Sequence, residues 1–174
     1  MTTTTTDATV DPADLAGMFT AHGRELLRYC TRRVGEHVAE DVVAETFLIA
    51  YEQRARFDPS RGAVLPWLYG IATNLLRRHR RTEVRALRAL ADTGAGADAA
   101  DERVDAQRTV RKLAGVLAAL PRRQRDVLLL FAVAELDYAE IAAALGIPVG
   151  TVRSALHRAR AKVRAALAPE GETP

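Results

Sequence analysis

The sequence is short of several things, and each shortage excludes a class of protein. It has one cysteine, Cys30, in 174 residues. That excludes an intrachain disulfide and any multi-cysteine zinc site within one chain. Its longest strongly apolar run, residues 127–134, falls far short of the roughly 20 residues of a membrane span. Met1 is followed by five threonines and Asp7. With neither a basic nor an apolar segment there, the pattern predicts no export signal and a cytoplasmic protein. The four histidines, His22, His37, His79 and His157, have no ligand spacing to one another. There is no Gly-rich phosphate loop, no metal cluster, and no Ser or Cys nucleophile beside acid–base partners. Neither an enzyme nor a cofactor or metal is expected. Aromatics make up only 5%, and Ala and Leu dominate, which favours helix over a β-sandwich.

What is present points to an all-α protein. Apolar residues make up 48%, enough to bury a core, and the length suits one ordinary domain or two small ones. Residues 1–10 are polar and Thr-rich and read as a disordered tail. Helical spacing follows from Pro12 to about Arg33, with Leu15, Met18, Phe19, His22, Leu26, Tyr29 and Cys30 on the apolar stripe. A second helix is predicted over 36–57, with Val38, Val42, Phe47, Ile49, Ala50 and Tyr51 on or near its buried side. Asp58 to Gly62 is a turn by composition. A third helix starts near Val64, with Pro66 in its first turn, and is predicted to run to about Leu90. Residues 92–101, DTGAGADAAD, read as a flexible acidic linker. Further helices are predicted over 102–120, 122–134, 137–145 and 149–168. The expectation is two small helical bundles, 11–91 and 102–174, joined by the linker.

The net charge of +3 conceals a partition. Residues 1–57 carry −3, 58–91 carry +5, 92–120 carry −1 and 121–174 carry +2. All bases but Lys112 and Lys162 are Arg.

Residues 137–160, DYAEIAAALGIPVGTVRSALHRAR, read as a helix-turn-helix. Asp137 and Glu140 have capping-box spacing. Gly146 falls where the first helix must end in a left-handed residue. Ile141, Leu145, Ile147, Val152 and Leu156 supply the packing face. The outward residues of the second helix include Thr151, Arg153, Ser154, His157, Arg158 and Arg160, a face suited to the major groove. In the first half, Trp67 leads through Asn74 into Arg77, Arg78, His79, Arg80 and Arg81, a cationic helix end suited to backbone and single-base recognition. Trp67 alone reads more readily as core packing. Asp41 and Glu45 lie mid-helix and read as an exposed acidic face or a docking surface.

Together these motifs resemble the extracytoplasmic-function group of bacterial sigma factors, of the sigma-70 family, over nearly the whole chain. AEDVVAETFLIAYEQRARFDP is similar to the helix that docks on the clamp helices of core RNA polymerase. RGAVLPWLYGIATNLLRRHRR is similar to the part of region 2 that opens and reads the −10 promoter element. LPRRQRDVLLLFAVAELDYAEIAAALGIPVGTVRSALHRARAKVRAAL is similar to region 4, which reads the −35 element and contacts the polymerase flap. The resemblance implies docking residues Asp41, Val42, Glu45 and Phe47. It implies −10 residues Phe57, Arg61, Trp67, Asn74, Arg77, Arg78, Arg80 and Arg81. It implies −35 residues Thr151, Arg153, Ser154, His157, Arg158 and Arg160. The implied partners are core polymerase, promoter DNA (duplex at −35, single-stranded at −10) and an anti-sigma factor. Three positions depart from the family pattern. Gly70 stands where many relatives have Arg, Ala155 where an Arg often contacts DNA, and His157 at a variable specificity position. The alternative reading is an autonomous helix-turn-helix regulator.

Overall fold

The computed structural model describes residues 11–92 and 101–168, with the side chains of residues 61 and 101–105 outside the described set. The described residues form eight α-helices and two 3₁₀ turns, with no strand among them, as expected of an all-α chain. In order they are α1 (Leu15–Val34), α2 (Glu36–Glu52), α3 (Val64–Arg78), α4 (Arg80–Asp92), α5 (Asp101–Ala119), α6 (Arg122–Ala132), α7 (Tyr138–Leu145) and α8 (Val149–Leu167). The expected tail, residues 1–10, and the interior of the expected linker, 93–100, lie outside the described residues.

Local chemistry accounts for most boundaries. Asp14 caps α1, its Oδ1 accepting from the Gly17 N–H at 2.9 Å, and a single residue, Gly35, turns the chain into α2. The helix predicted over 36–57 stops early. At its end Arg54 stacks on the Tyr51 ring, 4.2 Å from the centroid, and donates to the Tyr51 carbonyl at 2.7 Å. That satisfies a terminal acceptor, and a 3₁₀ turn, Arg54–Arg56, follows. The helix predicted from Val64 to Leu90 is interrupted at His79, whose N–H bonds to the Leu76 carbonyl. No Pro or Gly marks the break. Its consequence is tertiary: α4 takes a separate course and carries Glu83 into the protein interior.

α1, α2 and α3 pack against one another, and α6, α7 and α8 form a second group with α5 on α8. The two groups are in contact. α4 lies along α5 and α3 crosses α7, and one continuous apolar cluster runs from Met18 and Leu26 through Leu68 and Leu76 to Val127, Ile141 and Val152. The α3–α7 crossing is close. A Cβ built on Gly70 would lie 2.3 Å from the Ala144 carbonyl oxygen, so only glycine permits this approach.

Candidate nucleic-acid interface

The helix-turn-helix forms as its sequence requires. Asp137 Oδ1 accepts from the Glu140 N–H, and Glu140 Oε2 accepts from the Asp137 N–H, both at 2.8 Å. These bonds satisfy donors that the start of α7 leaves open. Gly146 ends α7 at φ 62°, ψ 39°, the left-handed cap that L side chains adopt at a cost of about 1–2 kcal/mol. The axes of α7 and α8 differ by 106°, within the range of a helix-turn-helix.

Val152, Ala155, Leu156 and Ala159 hold α8 down. The remaining positions face outward over an arc of about 180°. Arg153, His157, Arg158 and Arg160 are exposed, and Thr151 and Ser154 are half-buried. Ser154 Oγ donates to the Thr151 carbonyl at 3.1 Å. Arg160 lies over Phe131, 4.4 Å from the ring centroid, a contact of about 0.5–1 kcal/mol at an exposed site. That is weak enough for a phosphate to displace. Ala155 departs from the expectation that it stands at a DNA-contacting position: it is 1% exposed and belongs to the packing face.

The first half presents a second surface. The Phe57 and Trp67 rings lie 5.1 Å apart. They line a cavity of about 210 Å³ with Asp58, Gly62 and Pro66, and Ala143 of α7 closes one side. Asp58 Oδ1 accepts from both the Ser60 N–H and its hydroxyl, fixing the loop beneath. The Arg61 side chain lies outside the described residues. Asn74 is exposed and its Oδ1 accepts from Arg77 Nη1 at 2.8 Å. Arg80 and Arg81 are exposed. Arg78 pairs with Glu45 at 3.1 Å, the two side chains being 71% and 44% exposed. Such a pair is worth about 0–1 kcal/mol, so Arg78 is readily released to DNA. Arg77 is held more firmly: its Nε lies 3.3 Å from Oδ2 of Asp126, which is fully buried.

Of the expected docking residues, Asp41 is exposed and Glu45 half-buried, but Val42 and Phe47 are buried. The correction follows from the helical period. Val42 and Phe47 share the stripe of α2 that packs on α1 and α3, so they shape the docking helix without meeting a partner. The apolar surface of that hairpin is instead Phe19 and Leu48, more than half exposed, with Leu15 and Tyr51 beside them in exposure. Phe19, Leu15 and Tyr51 had read as buried. α1 is apolar on more than one face, and periodicity alone does not choose between them. In the second half, a groove of about 840 Å³ runs between α5, α6 and α8. Leu113, Leu117, Leu128 and Val133 floor it, and Arg153, His157 and Arg160 stand at its edge.

The sequence reading missed a buried ionic cluster. Arg33 donates to Glu83 Oε1, to the Tyr29 hydroxyl and to Asp126 Oδ1, each at 2.7 Å. Tyr29 Oη lies 3.0 Å from Thr73 Oγ1. Arg125 Nη1 donates to the Leu117 carbonyl at 3.1 Å. Its Nη2 sits 3.4 Å from Glu83 Oε2, an ion-pair separation without hydrogen-bond alignment. Burial alone favours the neutral form of Arg33, but Tyr29, Glu83 and Asp126 outweigh it and push its pKa upward, keeping it charged. Burial draws Arg125 down. The only local hint was Arg33 falling in step with Leu26, Tyr29 and Cys30 on the apolar stripe of α1.

Comparison with known proteins gives this geometry its context. Residues 18–86 match the family described as Sigma-70 region 2, and residues 111–163 match Sigma-70, region 4. The ECF RNA polymerase sigma factor SigE of Mycolicibacterium smegmatis is 33% identical over 171 residues, covering 93% of this chain and 66% of that protein. SigW of Bacillus subtilis is 31% identical over 153 residues, covering 80% and 81%. Among solved structures, CnrH in complex with the cytosolic domain of CnrY aligns with a TM-score of 0.63 at 26% identity, over 90% of this chain and 92% of that one. The sigma factor RpoE from Bartonella quintana, in complex with the anti-sigma factor NepR, aligns at 0.61 and 20% identity over 90% and 98%, a likeness of fold.

Proposed function

The chain belongs to the sigma-70 family of RNA polymerase sigma factors, in its extracytoplasmic-function group, and from that premise we infer which of its surfaces do the work. Residues 11–91 act as region 2 and residues 102–174 as region 4, joined by the acidic segment 92–101. The observation that carries this assignment is the presence, in one chain and in that order, of the two matched regions, each with an exposed Arg-bearing helix.

Opening DNA costs about 1.4 kcal/mol per base-pair step, and extruding a base costs a few kcal/mol more. The Phe57–Trp67 cavity takes an unpaired base of the −10 element. Asn74 contacts the strand beside it, and Arg77, Arg78, Arg80 and Arg81, with Arg61 from the loop, track its phosphates. On α8, Arg153 and His157 read base edges of the −35 duplex, while Thr151, Ser154, Arg158 and Arg160 position the helix on the backbone. The Phe19–Leu48 face, with Asp41 and Glu45 beside it, docks on the polymerase clamp helices, and the groove between α5, α6 and α8 seats the flap. The solved relatives are bound to anti-sigma partners, and the same apolar surfaces suit such a partner here. Members of the family initiate transcription without a reaction of their own. This chain contributes binding alone, in the cytoplasm. An autonomous regulator accounts for residues 111–163 only.

The test is in vitro transcription with core polymerase over genomic fragments, followed by sequencing of the start sites. The expected result is initiation at sites sharing one pair of upstream elements. Tight, specific duplex binding by the isolated chain with no affinity for core polymerase would overturn the reading.

A further inference from the structure

Four buried charges join the two halves of the molecule. Arg33 and Glu83 come from the first half, Arg125 and Asp126 from the second, and each is at most 3% exposed. Two guanidinium groups and two carboxylates balance. Asp126 is the centre of the join, because each of its oxygens takes an arginine of the first half: Oδ1 takes Arg33 at 2.7 Å and Oδ2 takes Arg77 at 3.3 Å. A carboxylate oxygen on a guanidinium reproduces the contact a phosphate oxygen makes. Around this cluster the second half covers the face that the proposed function gives to the opened strand. Ala143 closes one side of the Phe57–Trp67 cavity, and α7 crosses α3 at Gly70.

We propose that Asp126 is a built-in stand-in for a DNA phosphate on Arg77, and that the Arg33–Glu83–Arg125–Asp126 cluster and the Gly70 crossing latch the chain in a closed, autoinhibited state. The inference rests on the sigma-factor reading. Elements centred near −35 and −10 lie about 25 base pairs apart, or about 85 Å along the duplex at ~3.4 Å per pair. Helices in contact at Gly70 and Ala144 cannot serve both, so the closed chain must open to engage a promoter. The character of the join suits release. α4 buries a single residue, and that residue is Glu83. Fully paired buried charges add less net stability than apolar packing of the same volume, because water solvates them again on opening.

The experiment uses the full chain. Wild type, Gly70→Leu and Asp126→Ala are compared by small-angle X-ray scattering and by equilibrium binding to bacterial core RNA polymerase, with helicity checked by circular dichroism. Wild type should show a radius of gyration near the ~16 Å of a compact chain of this length. Both variants should expand by several Å and bind core polymerase about tenfold tighter, since apparent affinity scales with the fraction of open molecules. Leu adds no charge, so a gain from Gly70→Leu is not a new phosphate contact. If Asp126→Ala loses helicity, Gly70→Leu decides, because its added side chain meets only α7 and improves helix propensity. A wild type already extended, or a Gly70→Leu variant unchanged in radius and affinity, overturns the latch while the sigma-factor reading stands. Failure of every form to bind core polymerase, with radii that do respond, overturns the sigma-factor reading and the inhibitory role together.

Discussion

At the scale of single residues, Cys30 shows how far burial alone sets chemistry. It has no exposed surface, and burial pushes its thiol up to about 12, with Arg33 pulling the other way. The folded protein should therefore resist thiol reagents at neutral pH and react only on unfolding, which timed alkylation with and without urea will show. The sign of the linked stability effect follows. Above about pH 8.5 the unfolded thiol ionises while the folded one keeps its proton, so stability falls as pH rises toward 12, by up to about 1.4 kcal/mol per pH unit. Urea midpoints at pH 7.5 and 9.5, below the range in which tyrosines titrate, should show wild type losing about 1 kcal/mol more than Cys30→Ala. Two nucleic-acid contacts are testable at the same scale. Asn74→Ala should impair open-complex formation on duplex promoters and be largely rescued on a pre-melted template, whereas equal loss on both removes the residue from strand capture. Arg153→Ala should relax base preference within the −35 element, at about 1–3 kcal/mol for a bidentate contact, read by selection on randomised duplexes. Residue type and spacing made the basic faces legible in advance. Val42, Phe47 and Ala155 were misplaced because a family position says where a residue lies along a helix, not how far the helix is rotated against its neighbours.

Elements were the most legible level. Each expected helix is present, because 3.6-residue periodicity is local and the caps are chemical. Asp137 with Glu140, Gly146 and Pro121 mark their boundaries where the sequence puts them. Asp137→Ala should cost about 1 kcal/mol, and Gly146→Ala about 1–2 kcal/mol, with nothing near the added methyl to blame but backbone conformation. In a chain of this size each kcal/mol lowers the melting temperature by roughly 2–4 °C, and thermal melts of the two variants will check both figures. The early end of α2 and the break at His79 were not legible. The first depends on one arginine folding back onto Tyr51. The second serves an ion pair between residues 33 and 83, and such long separations leave no trace in local pattern.

The whole molecule is where the sequence says least and the structure most. Two bundles on a tether would unfold independently, yet the apolar cluster is continuous from Met18 to Val152 and the cluster around Asp126 crosses the same boundary. Wild type should therefore melt in one calorimetric transition, and Gly70→Leu in two. A wild type with two transitions would mean that the halves are energetically separate despite their contact. One further consequence lies in the placement of Trp67. It is the only tryptophan in the chain, it stacks near Phe57, and its cavity is shared with Ala143 of the other half. Nature has thus set a single fluorophore at the point where an unpaired base arrives and where α7 departs. Its emission should shift red as α7 leaves and be quenched when a single-stranded −10 oligonucleotide fills the cavity, so that both steps of promoter engagement can be followed in unlabelled protein.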